Sequence, residues 1–390
     1  MISTFLYNQY RSGQTDNELK SLDKPVLLWK LQLSSDPSYG IETMTIADVD
    51  KNLYVGCHNG KLYSVNKDGI KRFEISSSQK MFGTPILLND QCVFCSGSGE
   101  LKAIDLEGNL KWKQELSDIP LLEQKVNYFD VLLRKLKLKP KSPKFSVGTI
   151  RNWSSLNYFN DHIYLNVAGK GLCVVSSDGQ FIQNFKGTYN FPLAGTAIFS
   201  DGSLVYTDER RYLYKLDTNR KLEWTCDIGD YYLWSNPTID KATNFTYFSG
   251  TNNGASKVCC VNDKGQTIWK KNINSEIRGT LSISSFGYVL IPLFNGQLLA
   301  LDKASGKEIF NTELCQGDRA LWTTPTIDNN GNILIAVRKT RYKGSIGALD
   351  ANGKILWSID CGKTLSPPFL DDQGRIYFGD WLGYYYCYQS

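Results

Sequence analysis

Histidine is nearly absent: His58 and His162 are the two in a chain of 390 residues. Catalysis or metal binding built on several histidines is thereby excluded. No Gly-x-Ser-x-Gly, His-Glu-x-x-His or glycine-rich phosphate loop occurs, so the common serine-hydrolase, zinc-protease and nucleotide-binding signatures are missing. No apolar run reaches the roughly 18 residues that a membrane-spanning helix needs. The opening stretch, MISTFLYNQYRSGQTDNELKSLD, has no basic start, no apolar core and no small-residue cleavage site. An unexported, cytoplasmic chain is therefore expected. The net charge of +5 is too mild to argue for nucleic acid, and no nucleic-acid motif is visible.

Cysteine is not scarce, but its placement argues against disulfides and metal. Of the ten, most fall in strand-like text: Cys92 and Cys95 in QCVFCSG, Cys173 in GLCVV, Cys387 in YYYCY. Unpaired strand cysteines suit a reducing compartment. On a strand, the odd spacing of Cys92 and Cys95 puts them on opposite faces, and no second CxxC exists to complete a zinc site. The vicinal pair Cys259–Cys260 reads as two small core residues of a strand. The stretch DVDKNL from Asp48 lacks the glycine and closing glutamate of a calcium loop. No metal and no cofactor are expected.

What is present is a repeat. TMTIADVDKNLYVG from Thr43, GTPILLNDQCVFCSG from Gly83, TTPTIDNNGNILIAV from Thr323 and SPPFLDDQGRIYFG from Ser366 are copies of one text. A unit of about forty residues, rich in β-branched and aromatic side chains, is the mark of a β-propeller. Within each unit the fourth strand carries an aromatic at a fixed point: Trp29, Phe73, Trp112, Phe185, Trp224, Trp269, Phe310 and Trp357. An Asp-Gly or Asn-Gly turn precedes several of them, as at Asp68, Asp178 and Asn352, a strong hairpin signal. The expectation is an all-β, eight-bladed propeller of four-stranded blades spanning 25–390, after an N-terminal extension over 1–24. The last blade takes three strands from the C-terminus and its fourth from PVLLWKLQL, Pro25 to Leu33, which leaves no open edge at the seam. The fourth-strand aromatics are expected to fill the gaps between blades.

These repeats resemble a known family. ALDKASGKEIF from Ala300 and ALDANGKILW from Ala348 are similar to the repeat of the PQQ-like, or quinoprotein alcohol dehydrogenase-like, propellers. That family includes the outer-membrane assembly factor BamB. The resemblance implies the propeller fold. For the dehydrogenases it also implies export, a calcium site beside a quinone and often a vicinal disulfide over it.

Aligning the starts of the first strands brings a second set of residues into register: Ile41, Phe82, Trp153, Leu193, Trp234, Arg278, Trp322 and Leu365. They are expected to ring one mouth of the central channel, either binding a ligand or plugging it. Arg278 is the one charge in this ring, placed to meet a carboxylate or phosphate. Loops on the same face add Arg210, Arg211, Arg338, Arg341 and Asp380 with Trp381, while Arg319 precedes Trp322. The candidate partner-binding set is Phe82, Trp153, Trp234, Arg278, Arg319, Trp322, Arg338 and Trp381. Between the second and third blades lies an insert over 118–147. Leu122, Val126, Phe129, Leu133 and Leu136 mark one face of a helix there, and its end is basic. The functional expectation is a monomeric, non-catalytic scaffold that binds a protein or peptide; the alternative is an enzyme or sensor holding a small anionic ligand at the mouth. Neither nucleic acid nor membrane is expected as a partner.

Overall fold

A computed structural model describes residues 4–36, 38–116, 152–185, 187, 194–317 and 319–390. The helix expected over 118–147, and Leu193 of the ring, lie outside the described residues. Within them the chain is all-β. Its strands form six four-stranded antiparallel sheets and one sheet of eight strands. In the eight-stranded sheet, the groups Thr196–Tyr232 and Thr238–Ile273 are linked by one pair, Tyr232 with Thr251. The sheets are blades of a β-propeller. In the closing blade, strand Val26–Gln32 pairs along Tyr384–Gln389, so the two ends of the sequence share one sheet.

The repeat text explains the blade geometry. Across the third and fourth strands, Ala103 faces Trp112, Ala300 faces Phe310 and Ala348 faces Trp357, each beside a bulge. The small residue leaves room for the ring, and the bulge turns the ring toward the next blade. There it covers a turn glycine. A Cβ on Gly353 would lie 2.4 Å from the Phe310 ring, and one on Gly179 would lie 2.5 Å from Trp112. Both glycines have positive φ, which an L side chain resists. Indole N–H groups complete the joint: Trp29, Trp112, Trp224 and Trp269 donate to the carbonyls of Lys67, Ser177, Asp263 and Lys303 in the following blade. The fourth-strand aromatics therefore do join neighbouring blades.

Around the channel, the innermost strands are tied by hydroxyls. Met44 N–H donates to Thr84 Oγ1 at 3.0 Å, Thr84 N–H to Ser155 Oγ at 3.1 Å, and Thr280 N–H to Thr324 Oγ1 at 3.1 Å. Ser366 Oγ donates to the Thr43 carbonyl at 2.8 Å and links the closing blade to the first. Each bond crosses from one blade to the next, so the belt holds the strands close. A Cβ on Gly279 would sit 1.7 Å from the Thr323 carbonyl oxygen.

The N-terminal segment, read from sequence as an extension, runs across the inner ends of these strands. The amides of Ile198, Ile239, Ile283 and Ile327 donate to the carbonyls of Gln9, Tyr10, Ser12 and Gly13. Leu6 is fully buried among residues of the first and closing blades, including Ile41, Val55, Tyr377 and Tyr385. Arg11 is fully buried too. Its guanidinium donates to the carbonyls of Phe5, Ser155, Leu156 and Thr196 and to Thr4 Oγ1. Five N–H groups meet five acceptors with no carboxylate, and burial lowers its pKa to about 9. Leu6, Tyr7 and Arg11 hold positive φ, a conformation kept only where the surroundings enforce it.

Candidate functional site

The residues that open each first strand do converge. Phe82, Trp153, Trp234, Arg278, Trp322 and Leu365 line one cavity of about 150 Å³, with Phe5 of the N-terminal segment also in its wall. Ile41 is fully buried in the wall between the first and closing blades. Phe82, Trp153, Trp234, Arg278 and Trp322 are half-buried. They form a rim, and the N-terminal segment closes the inner ends of the same strands behind them. What fills the channel is that segment.

Two aromatic groups divide the rim. On one side Arg278 lies 4.6 Å from the Trp234 ring centre, 5.3 Å from Trp322 and 5.2 Å from Phe294. Its guanidinium pairs with Glu276 at 3.0 Å, so the anion that the sequence reading assigned to a ligand is met partly from within. Its Nε is buried and has no hydrogen-bond partner. On the other side Trp381 packs on His58 with centroids 5.5 Å apart, His58 on Phe82 at 5.0 Å, and Phe82 on Trp153 at 5.9 Å. Gly40 makes room for this group: a Cβ there would lie 2.6 Å from Trp381 Cα. His58 Nε2 stands 2.9 Å from Glu42 Oε2. Beside the group is a larger cavity of about 480 Å³ whose walls include Tyr39, His58, Lys80, Phe82 and Trp153.

The loop arginines separate into two sets. Arg210 pairs with Asp230, and Arg211 grips Asp227 through Nε and Nη2 at 2.7–3.0 Å. Both are committed to their own blade. Arg338 is half-buried, its Nε 3.4 Å from the Thr340 carbonyl. Arg319 is exposed, with φ of 61°, and Arg341 is exposed over the Tyr342 ring. Asp380 is fully buried and accepts from the Gly362, Leu382 and Tyr384 amides and from the Tyr386 hydroxyl. It shapes the loop that presents Trp381.

Sequence reasoning missed Lys363. It is 8% exposed, and its ammonium stands 2.9 Å from the Trp381 ring centre. Burial first, then Arg338, Arg341 and Arg319, lower its pKa to about 8 against the opposing effect of Glu42. A lysine in a loop ordinarily reads as a solvated side chain. Only the shared register of Leu365, two residues on, pointed toward this place.

A quinone, which the family resemblance implies for its dehydrogenases, does not fit the residues present. The mouth cavity is smaller than the roughly 300–1,000 Å³ of small-molecule sites, and the N-terminal segment stands behind it. Cys259 and Cys260 are neighbours within strand Ala255–Val261 and pack into different cores, on opposite faces of the blade. They are not poised to bridge. Among the described residues no group of three or more His, Cys, Asp and Glu side chains is arranged to hold a metal ion.

Comparison with known proteins agrees with this architecture. A family profile described as outer membrane protein assembly factor BamB matches residues 15–134 and 254–366. The quinohemoprotein alcohol dehydrogenase of Comamonas testosteroni is 26% identical over 185 residues, 45% of this chain but 21% of that enzyme. The chain thus aligns with about a fifth of that relative. The crystal structure of the same enzyme superposes with a TM-score of 0.74 at 11% identity, covering 99% of this chain and 80% of that one. BamB from Moraxella catarrhalis superposes with a TM-score of 0.70 at 14% identity, over 94% of this chain and all of the other. The computationally designed Ika8 protein gives 0.68 at 13% identity, over 94% and 100%. Likeness at these identities speaks for the fold, and folds of this kind host unrelated activities.

Proposed function

This chain belongs to the family of PQQ-like repeat propellers described as outer membrane protein assembly factor BamB, and on that premise we propose that it is a non-catalytic, eight-bladed platform binding a protein or peptide partner on its rim face. Supporting the blade count are the eight fourth-strand aromatics and the two four-stranded groups inside the one larger sheet. The observation that carries the function is the rim itself. Trp153, Trp234, Trp322 and Arg278 stand half-exposed around a mouth of about 150 Å³. Half-buried indoles and an arginine are the residue types that anchor interfaces. The matching family is described as an outer membrane protein assembly factor, and a role through protein contacts is what we carry over. We place the chain, as a monomer, in a reducing, cytoplasmic compartment. Ten free cysteines, eight of them buried, support that setting.

The test is a peptide selection on the immobilised protein, repeated on Trp322→Ala. Peptides enriched on the parent should bind Trp322→Ala about thirtyfold more weakly, the effect of losing a hot-spot aromatic. The melting temperature should hardly move, because the ring is half-exposed. Enriched peptides that bind the variant equally well would overturn the proposal, as would a large loss of stability in the variant.

A further inference from the structure

The rim face carries buried donors without acceptors. Lys363 makes no ion pair, and its ammonium has no hydrogen-bond partner among the described residues; its contact is the face of Trp381. The Nε1 of Trp381 and the Nε of Arg278 are buried without a hydrogen-bond partner. Ammonium, indole N–H and guanidinium N–H are donors only. Buried polar groups are almost always satisfied, so two buried orphan donors beside an ammonium without an ion pair leave room for an acceptor on this face.

Among the described residues, the carboxylates of this face make no hydrogen bond to these donors. Glu276 is engaged with Arg278 Nη2 at 3.0 Å, and Glu42 stands 2.9 Å from His58 Nε2, which makes no hydrogen bond. Asp380 already accepts four hydrogen bonds. The positive groups belong to one neighbourhood. Glu42 and Leu365 line the same mouth as Arg278, while Glu42, Arg338, Arg341 and Arg319 all act electrostatically on Lys363. Burial and the three arginines, opposed by Glu42, make the charged ammonium costly, and a further anion would relieve that cost.

We propose that this face binds an acidic peptide segment, with one side-chain carboxylate accepting from Lys363 beside Trp381 and further acidic side chains meeting Arg338 and Arg341. This rests on the reading of the rim as a peptide platform and adds the partner's chemistry to it. A peptide is favoured over a small anion because the charge lies beside half-exposed rings and a shallow mouth. Carboxylate on the ammonium and apolar side chains on Trp322 and Trp153 would then be engaged together.

The test uses the full chain and an N-acetylated peptide alternating glutamate with leucine, its glutamine counterpart, and inorganic phosphate. Fluorescence polarisation should show the glutamate peptide binding at least about tenfold more tightly than the glutamine one, the scale of charge-assisted hydrogen bonds. Lys363→Met keeps the buried stem and should lose that preference. Arg341→Gln, at an exposed site that does not endanger folding, should weaken the glutamate peptide and flatten its salt dependence. Equal binding of the two peptides, or a preference unchanged in both variants, overturns the acidic-segment proposal. If peptides selected on the parent still depend on Trp322 in that case, the platform reading survives alone. Phosphate that displaces the peptide completely at similar concentration would assign the site to a free anion, against the proposal.

Discussion

Truncating Leu6 to alanine tests whether the N-terminal segment belongs to the core. Leu6 is fully buried, its amide donates to Met44 Sδ at 3.3 Å, and it shares a cluster with Tyr377, Tyr385 and Ile41. It lies where the first and closing blades meet, behind the mouth. Removing a fully buried leucine side chain costs about 3–4 kcal/mol through lost transfer energy and a residual cavity. With an unfolding entropy of about 2.1 cal/mol/K per residue, that lowers the melting temperature of a chain of 390 residues by about 4 °C. The assay is calorimetry on Leu6→Ala beside a control, Leu22→Ala. Leu22 is 49% exposed and should cost no more than about 0.5 kcal/mol. If the two variants melt together within about 1 °C of the parent, the segment does not contribute to the core, and the account of what fills the channel is refuted.

Three further outcomes are expected. Deleting residues 1–34 removes both the channel filling and strand Val26–Gln32, so the product should be insoluble or unfold without a cooperative transition; an unchanged melting curve would sink the closure. All ten cysteines should react with a thiol reagent in denaturant without reductant, and mass spectrometry should find no Cys259–Cys260 disulfide; its detection would return the chain to the oxidoreductases. Burial alone would raise the pKa of Glu100, but Lys113 at 2.9 Å, Lys102 at 3.0 Å and the Ser78 amide outweigh it and hold the carboxyl at about 2, below its usual 4.5. A carboxyl depressed on folding stabilises above its unfolded value, and that stability is lost as pH falls from about 4.5 toward 2; Glu100→Gln should therefore be less stable than the parent at neutral pH and converge with it in acid, and parallel pH profiles would refute this.

The blades were legible because their chemistry is periodic. A ring every forty or so residues, opposite an alanine and before a turn glycine, has one geometric solution, and Phe310 with Ala300 and Gly353 shows it. The convergence of Trp234, Arg278 and Trp322 was legible for the same reason, since equal register in each repeat means equal height in each blade. Residues 4–20 were not, because they follow no period. Arg11 finds Ser155, Leu156 and Thr196 across long sequence separations, and its left-handed backbone leaves no pattern in composition. The partners of Arg210, Arg211 and Arg278 were missed because an ion pair depends on side-chain reach, which spacing alone does not give. Lys363 lies in a connection, where burial is decided by the neighbouring blade.

The joints between blades have a direction. Six of the fourth-strand rings, Trp29, Phe73, Trp112, Trp224, Trp269 and Phe310, lean on a turn glycine of the blade that follows, so these joints all run one way round the ring. Trp357 alone among the indoles at this position has a buried N–H without an acceptor. The blade it leans on is the closing one, whose third and fourth strands come from opposite ends of the sequence, with no hairpin turn between them to offer a carbonyl. Leu19 of the N-terminal segment packs into that gap with Trp357, Phe378 and Tyr386. The segment that fills the channel therefore also serves as the bolt on the weakest latch, and a strand peeled from the N-terminus would open the ring at one chosen seam rather than loosen it everywhere.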